Sequence, residues 1–478
     1  KRLEKTKIIA DFLQKVPKND LKEVIYLLQG RVFPPWDERK LGMSSRLLVK
    51  AIAKSSGSSG SKIDQLWSKK GDLGLVAEEL IENKKQRTLF SQSLSVKKVV
   101  DNIAKLAEME GEGTVNRKVG LVSELLSSAE KEEAKFIIRT VLEELRTGVG
   151  DGTVRDSIVW AFYPKLIEDL FDFENGIKPL KKSEEERKKY NEVSDKVQGA
   201  FDVANDFGLV AEKLKDNGNL DDITLIVGRP IKVMLYPKAK GFEDAFETVG
   251  TPAIIEPKID GFRMQIHRNG DEIRLFTRRL DDVTKQFPDV KNVVKTHVRS
   301  KSFILDCEIL GVDKKTKRAI AFQNISQRIK RKYDIEKMAK TIPVVINIFD
   351  IIELNGENLL NIPLETRRKK LKAIIKEEKY KIELIEQLIT SDIKKAEKYY
   401  QDCLTKGHEG VMVKNQKGIY KPGSRVGYGL KIKPVMESLD LVIIKAEWGE
   451  GKRVKWLSSF TLACRSGDKL LEMGKVGT

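Results

Sequence analysis

Cysteine and histidine are scarce in this chain: 478 residues hold three of each. Cys307, Cys403 and Cys464 lie far apart, so neither a disulfide framework nor a four-cysteine zinc site can be drawn from them. A reducing, intracellular compartment is the default that follows. His267, His297 and His408 are equally dispersed, which argues against a histidine-rich metal centre or a Ser-His-Asp arrangement as the main chemistry. All three read as surface or packing residues. No apolar run approaches the ~20 residues of a membrane span and no signal-peptide pattern opens the chain. A cytosolic protein is expected, or a nuclear one if the source is a eukaryote, with no membrane partner. Negative charge is also short: 71 Asp+Glu face 89 Lys+Arg, a formal +18. Such an excess favours a polyanionic partner through phosphate neutralisation and counterion release, with nucleic acid as the first candidate. A thermophile's surface of Lys–Glu ion pairs fits the same composition.

The length allows about three domains, each able to bury a core. From Leu3 to about Leu225 the periodicity is helical, with Leu21, Val24, Ile25 and Leu28, and again Val99, Ile103, Leu106 and Ala107, at three- and four-residue spacing. Residues 1–228 are therefore expected to form an all-α domain. Within it Ser55 to Gly60 reads as a flexible loop and Lys181 to Lys189 as a solvated charge run on a helix surface or bend. After Gly228-Arg229-Pro230 short β-branched runs begin, at Ala253 to Ile259, Phe262 to His267, Ile273 to Thr277, Phe303 to Leu310 and Val344 to Ile352. Helical segments follow near Glu365 to Glu378 and Ile393 to Lys406, so residues 229–435 read as a mixed α+β domain. Residues 436–478 are β-rich again. Some 40 residues do not comfortably close a five-stranded barrel, so this domain is expected to be partial, and the opening Lys suggests a trimmed N-terminus.

Between two of those strand runs stands Lys258-Ile259-Asp260-Gly261-Phe262-Arg263. A lysine amine is a poor nucleophile while protonated and serves in catalysis only when desolvated or crowded by positive charge, which Arg263 could supply. A hairpin turn at Asp260-Gly261, with Lys258 on a solvated face, accounts for the same six residues. Downstream, Leu305-Asp306-Cys307-Glu308-Ile309 puts carboxylates inside a strand, where alternation sets Asp306 and Glu308 on one face and Leu305, Cys307 and Ile309 on the other. That face is either exposed or the wall of a cleft. Then come Asn347-Ile348-Phe349-Asp350, Gly407-His408-Glu409-Gly410-Val411-Met412-Val413-Lys414 and Gly429-Leu430-Lys431-Ile432-Lys433.

In this order and spacing the segments resemble the motif set of the ATP-dependent DNA ligases, within the covalent nucleotidyltransferases, and the resemblance runs over essentially the whole chain. It implies that Lys258 takes AMP from ATP, that Glu256 reads the adenine amino group, and that Arg263 and Arg278 bind the nucleotide. It further implies that Glu308 holds the ribose or a metal, that Phe349 stacks on the purine, that Glu409 helps coordinate Mg²⁺, and that Arg425 joins Lys431 and Lys433 around the phosphates. The chemistry agrees: adenosine offers a π-face and an exocyclic donor, a triphosphate calls for fixed cations, and Mg²⁺ is satisfied by a few carboxylates with phosphate oxygens and water.

The helical half carries Arg146-Thr147-Gly148-Val149-Gly150-Asp151-Gly152-Thr153-Val154-Arg155, three glycines between two arginines where one helical pattern ends and another begins. Glycines let backbone approach a phosphate, and a helix starting near Thr153 offers free amides; a plain helix–helix connection has the same composition. The segment resembles part of the DNA-binding domain of the archaeal and eukaryotic replicative ligases, which implies Arg146, Gly148, Gly150, Gly152, Thr153 and Arg155 as DNA contacts. The resemblance also implies an OB-fold for residues 436–478, nicked duplex DNA as substrate, action in replication, repair and recombination, and a monomer. Gln86 to Phe90 resembles a shortened sliding-clamp docking peptide. Three features depart from the family pattern: its last motif would lie beyond Thr478, Gly429 stands where an aromatic residue is common, and Asp281 stands where Glu is expected. An RNA ligase, a capping guanylyltransferase and a non-catalytic scaffold are the rival readings.

Overall fold

The computed structural model describes residues 2–37, 39–83, 93–173, 177–180, 184–320, 322–329, 331, 333–434, 438–449 and 453–477. The chain divides into two compact units, one of Lys1–Val197, Phe207–Gly218 and Met436–Thr478, the other of Gln198–Asp206 and Asn219–Val435.

Helices dominate the first unit, and most of those in its first half are delimited by sequence-encoded caps. Ser44, Ser59 and Ser95 each accept a backbone N–H of the helix that follows, at Ser45–Ser56, Gly60–Lys70 and Val96–Glu108. Asp72 does the same for Leu73–Glu82. Leu48, Ile52, Ile63, Val76, Ile103, Leu106, Val122 and Ile138 meet in one core, as the three- and four-residue spacing requires. Two expectations need correction. Ser55 to Gly60 is no flexible loop: Gly57 closes one helix in the left-handed region at φ 70°, and Ser59 opens the next. Nor is the region wholly helical, because β1 (Phe171–Asp172) pairs antiparallel with β2 (Lys178–Pro179). The charge run enters the helix Glu184–Ala204, where Glu185 and Lys189 pair one turn apart at 2.9 Å. Gln86 to Phe90 lies outside the described residues.

The second unit holds two sheets. One has the order β10 (Leu388–Thr390), β3 (Ala253–Pro257), β11 (Val411–Asn415), β12 (Gly429–Ile432), all antiparallel. The other has the order β5 (Glu272–Thr277), β4 (Phe262–Asn269), β6 (Ser302–Gly311), β7 (Val344–Leu354), β8 (Glu357–Asn358), with β9 (Ile382–Leu384) parallel to β7. Helices Phe242–Val249 and Ile393–Thr405 contribute to the apolar core of the smaller sheet. Pro288–His297 and Leu364–Ile374 do so for the larger. β3 and β4 lie in different sheets, so Lys258 to Gly261 is a crossing between sheets and not a hairpin. Gly261 is required there, because a Cβ would overlap the Ile309 carbonyl oxygen and stand 3.1 Å from Glu308 Cγ.

The last strands, β13 (Val442–Trp448), β14 (Leu457–Ser466) and β15 (Lys469–Gly477), form a three-stranded antiparallel meander. Cys307, Cys403 and Cys464 are free thiols. Among the described residues no helix is long and apolar enough to cross a membrane.

Candidate active site

Between the two sheets of the second unit lies a cleft of about 960 Å³, lined by Glu256, Lys258, Arg263, Arg278, Glu308, Phe349, Glu409, Arg425, Lys431 and Lys433. Ten side chains spread over 178 residues of sequence thus share one cavity. Backbone pairing brings the first two of its chemical groups together. Past the end of the β3–β11 ladder the Lys258 N–H donates to the Gly410 carbonyl and the Glu409 N–H to the Lys258 carbonyl, both at 2.8 Å. Gly410 permits this with φ 137°. The consequence is a Lys258 Nζ to Glu409 Oε2 distance of 2.6 Å, with Lys433 Nζ on the same oxygen.

The electrostatics of the floor follow from burial and from these pairs. Burial opposes the charge of Glu409, but hydrogen bonds from Lys258 and Lys433 outweigh it and hold the carboxyl at about 2. Asp260 moves the other way, raised by burial and by its shared hydrogen bond with Glu409. Glu308, across the cleft on β6, is pushed up to about 8 by burial, against the pull of Arg263 and Lys258. Lys431 is lowered, first by burial and then by Arg425, Lys433, Lys258 and Arg278. So many cations near one wall make it a seat for a polyanion. Arg425 and Lys431 are brought there by pairing with Leu235 and Lys238.

Elsewhere in the cleft a buried carboxylate and an aromatic ring face the same space. Glu256 is 1% exposed; its carboxylate is held by Lys414 Nζ at 2.5 Å and by Gln387 Nε2 at 2.7 Å. Phe349 presents its ring with Lys414 Nζ at 5.0 Å and the Arg263 guanidinium at 5.3 Å from its centroid. Arg263 itself is engaged on several sides: two hydrogen bonds to Asp306, at 2.9 and 2.5 Å, one to the Met234 carbonyl at 2.7 Å and one to Tyr420 Oη at 3.3 Å. Tyr420 completes the network by donating to Asp306 at 2.8 Å. Alternation along β6 is as the sequence indicates, with Cys307 in the apolar core and Glu308 on the cleft.

The sequence marked Asp306 with Glu308 as a carboxylate either exposed or lining a cleft, whereas Asp306 is fully buried against Arg263. It assigned no role to Lys414, Gln387, Tyr236 or Tyr420; the first was in view at the end of the Gly407 to Lys414 run, and nothing local marks the other three. Tyr236 explains the departure at Gly429, because a Cβ there would meet its ring at 2.7 Å: an aromatic is supplied from elsewhere in the chain. Asp281 lines the cleft and meets Thr277 Oγ1 at 3.4 Å.

No group of three or more His, Cys, Asp or Glu that could hold a metal ion occurs among the described residues. Glu308 and Glu409, both on the cleft, are carboxyl donors that an ion keeping water and substrate oxygens would use. Glu308, half-buried on the cleft and with no hydrogen-bonded cation among the described residues, is a carboxyl that such an ion would favour in its charged form.

The remaining predicted residues belong to the helical unit. Gly150 precedes the helix Asp151–Phe162 without a side-chain cap. Gly148 has φ 68°, and Lys5 Nζ donates nearby to the Thr147 carbonyl at 2.8 Å. Arg146, at φ 56°, bonds Glu144 and the Gly71 carbonyl and lies 3.3 Å from Asp72. Arg155 bonds Asp156 at 2.6 Å, while the Thr153 side chain is buried. A Cβ on Gly152 would stand 3.1 Å from the Arg2 guanidinium.

Residues 233–433 match the family described as ATP dependent DNA ligase domain, and residues 1–159 match DNA ligase N terminus. A DNA ligase of Nanoarchaeum equitans is 45% identical over 481 residues, covering 100% of this chain and 80% of that protein. One of Methanopyrus kandleri is 41% identical, covering 100% and 81%. A solved structure titled Pmar-Lig_Pre. is alike in fold, with a TM-score of 0.53 at 16% identity, covering 100% of this chain and 84% of that one.

Proposed function

The chain belongs to the ATP-dependent DNA ligases, which use ATP to seal 5′-phosphate/3′-hydroxyl nicks in duplex DNA, and on that premise we propose that Lys258 is its adenylated nucleophile. The observation that carries this assignment is the Lys258 amine 2.6 Å from Glu409 on the floor of a cation-walled cleft. An amine attacks only as the free base, so the contact with Glu409 opens before chemistry begins. Nζ then attacks the α-phosphorus of ATP; a P–N bond forms, the P–O bond to pyrophosphate breaks, and the amine proton leaves to the carboxylate or solvent. An oxygen of the nick's 5′-phosphate next attacks the phosphorus of the bound AMP; a P–O bond forms, the P–N bond breaks, and the Lys258 amine leaves with a proton. Attack by the 3′-hydroxyl on that phosphate finally expels AMP and joins the strands.

The other residues position and neutralise. Phe349 offers a stacking face, and Glu256, oriented by Lys414 and Gln387, accepts the adenine amino group. Arg278, Arg425, Lys431 and Lys433 take the phosphates, while Arg263, bound to Asp306, fixes the wall beside the ring. Glu308 contacts the ribose or, with Glu409, would hold Mg²⁺, which supplies charge neutralisation at the phosphate oxygens when bound. In the helical region, assigned as residues 1–228, Gly148, Gly150, Gly152 and Thr153 would approach DNA phosphates at the start of the helix Asp151–Phe162, with Arg146 and Arg155 alongside; the helix begins two residues before Thr153, whose own N–H is taken by the Gly150 carbonyl at 2.8 Å. Residues 229–435 are the adenylation domain and 436–478 an OB-fold portion. A monomer is proposed, with Gln86 to Phe90 as a clamp-docking peptide.

Lys258→Arg keeps the charge but removes a deprotonable amine. With radiolabelled ATP and no DNA, the wild type should form a covalent AMP adduct and the variant none. On a nick already carrying AMP on its 5′-phosphate, the variant should retain some sealing. ATP-dependent sealing by the variant would overturn the assignment, and adduct formation with GTP in preference to ATP would overturn the role of Glu256.

A further inference from the structure

We infer that a second, lysine-lined groove on the second unit is a docking surface for the phosphate backbone of the duplex flanking the nick. Residues 313 to 341 hold ten Lys and Arg against three Asp and Glu, a surplus of seven in a chain whose whole surplus is eighteen. Positive charge is thus concentrated in one segment, and the fold brings three of its lysines to one groove. Lys314, Lys337 and Lys340 line a groove of about 610 Å³, together with Glu336 and Thr341.

Lys314 projects from the turn that follows β6. That turn is ordered: the Asp313 N–H donates to the Arg318 carbonyl at 2.8 Å, and the Asp313 carboxylate accepts the backbone N–H groups of Lys315 and Thr316 at 3.0 and 2.7 Å. Lys337 and Lys340 come from the helix Ile335–Thr341. In contrast to Arg328, which is buried against Asp289, none of these three lysines has a carboxylate partner within 4.0 Å among the described residues. Unpaired, exposed lysines around an open groove are suited to phosphate oxygens.

Position selects the partner. Glu308, on the catalytic cleft, and Lys314 are six residues apart along one strand and its turn, at most about 20 Å at the rise of a β-strand. With a strand phosphate about every 3.4 Å of duplex, the groove falls within about six base pairs of a nick held at Lys258. Placing the nick there rests on the proposed active site.

Substituting Lys314→Gln, Lys337→Gln and Lys340→Gln together changes exposed side chains only. Binding to a nicked duplex should then show a slope of log K against log salt shallower by about 2.7, at about 0.9 per phosphate contact. Between 50 and 200 mM salt the wild type should lose about 40-fold more affinity than the variant. The KM for nicked DNA should rise, with self-adenylation by ATP unchanged. A control triple, Lys394→Gln, Lys395→Gln and Lys398→Gln on the helix Ile393–Thr405, removes the same net charge elsewhere and should leave the slope near that of the wild type. An unchanged slope in the groove variant, or equal flattening in the control, would overturn the inference. Absence of an AMP adduct on the wild-type lysine would instead strike the Lys258 assignment, so the two failures are told apart.

Discussion

Gly261→Ala adds one methyl group at the crossing between the two sheets. Its Cβ would overlap the Ile309 carbonyl oxygen and stand 3.0 Å from that carbonyl's carbon and 3.1 Å from Glu308 Cγ, where ordinary contact is 3.4–4 Å. The Ile309 carbonyl belongs to a central strand and cannot swing aside, so the crossing segment must retreat by roughly 1 Å. Lys258 is three residues away on that segment, and Glu308 touches the new methyl. A shift of this size in reacting groups costs on the order of 10²-fold in rate. Overpacking should take roughly 1–3 kcal/mol from stability, which the cores of this unit should survive. The assay is single-turnover self-adenylation with labelled ATP, beside circular dichroism and nicked-DNA binding. Expected are a native spectrum, near-native DNA affinity and an adduct formed about a hundredfold more slowly. Adduct formation within a factor of a few of the wild type would refute the claim that this close approach sets the geometry of the amine.

Asp306→Asn removes the charge that Arg263 meets twice in a buried network; a loss of roughly 3–5 kcal/mol is expected in denaturant unfolding, and a loss below about 1 kcal/mol would mean that the arginine finds another partner. His267 is buried, accepts the Gly228 N–H at Nδ1 and shares Nε2 with Gln265, and burial holds it down at about 3. Its stabilisation is therefore full above its ordinary value near 6.5 and is lost as pH falls towards 3, at about 1.4 kcal/mol per pH unit or about 2 kcal/mol between pH 6.5 and 5; His267→Asn should flatten stability against pH in that window. Arg146→Ala should weaken nicked-DNA binding and spare self-adenylation, because its contacts with Glu144, Gly71 and Asp72 shape the backbone leading into the glycine run; equal affinity would remove this loop from the DNA surface.

Legibility in the sequence depended on how local each signal was. The strand runs from Ala253 to Ile352 were readable because alternation and β-branching act within a few residues, and alternation alone placed Glu308 and Cys307 on opposite faces of β6. The boundary at Ser55 to Gly60 was misread because the same serines and glycines that make a chain flexible also cap helices. Pairings that depend on register were out of reach. Lys414 meets Glu256 only because Met412 lies opposite Glu256 in an antiparallel ladder. Tyr236 fills the place beside Gly429 through a segment nearly two hundred residues earlier in the chain. Arg263 reads in the sequence as a cleft residue, which it is, but the partners that hold its guanidinium there, Asp306, Met234 and Tyr420, are ones that no spacing rule points to.

Lys258 and Glu409 are apposed by the hydrogen bonds of their main chains, through Gly410, before any property of their side chains enters. That makes their encounter a matter of counting. One residue added or removed between His408 and Val411 would carry Glu409 away from the amine and turn its neighbours to the opposite face, while many replacements elsewhere on β11 would leave the count intact. Divergence in this part of the molecule should therefore be strict in length: an insertion or deletion here would cost both the meeting of the two groups and the inward facing of Val411 and Val413, whereas an exchange at a half-buried position such as Met412 would cost neither.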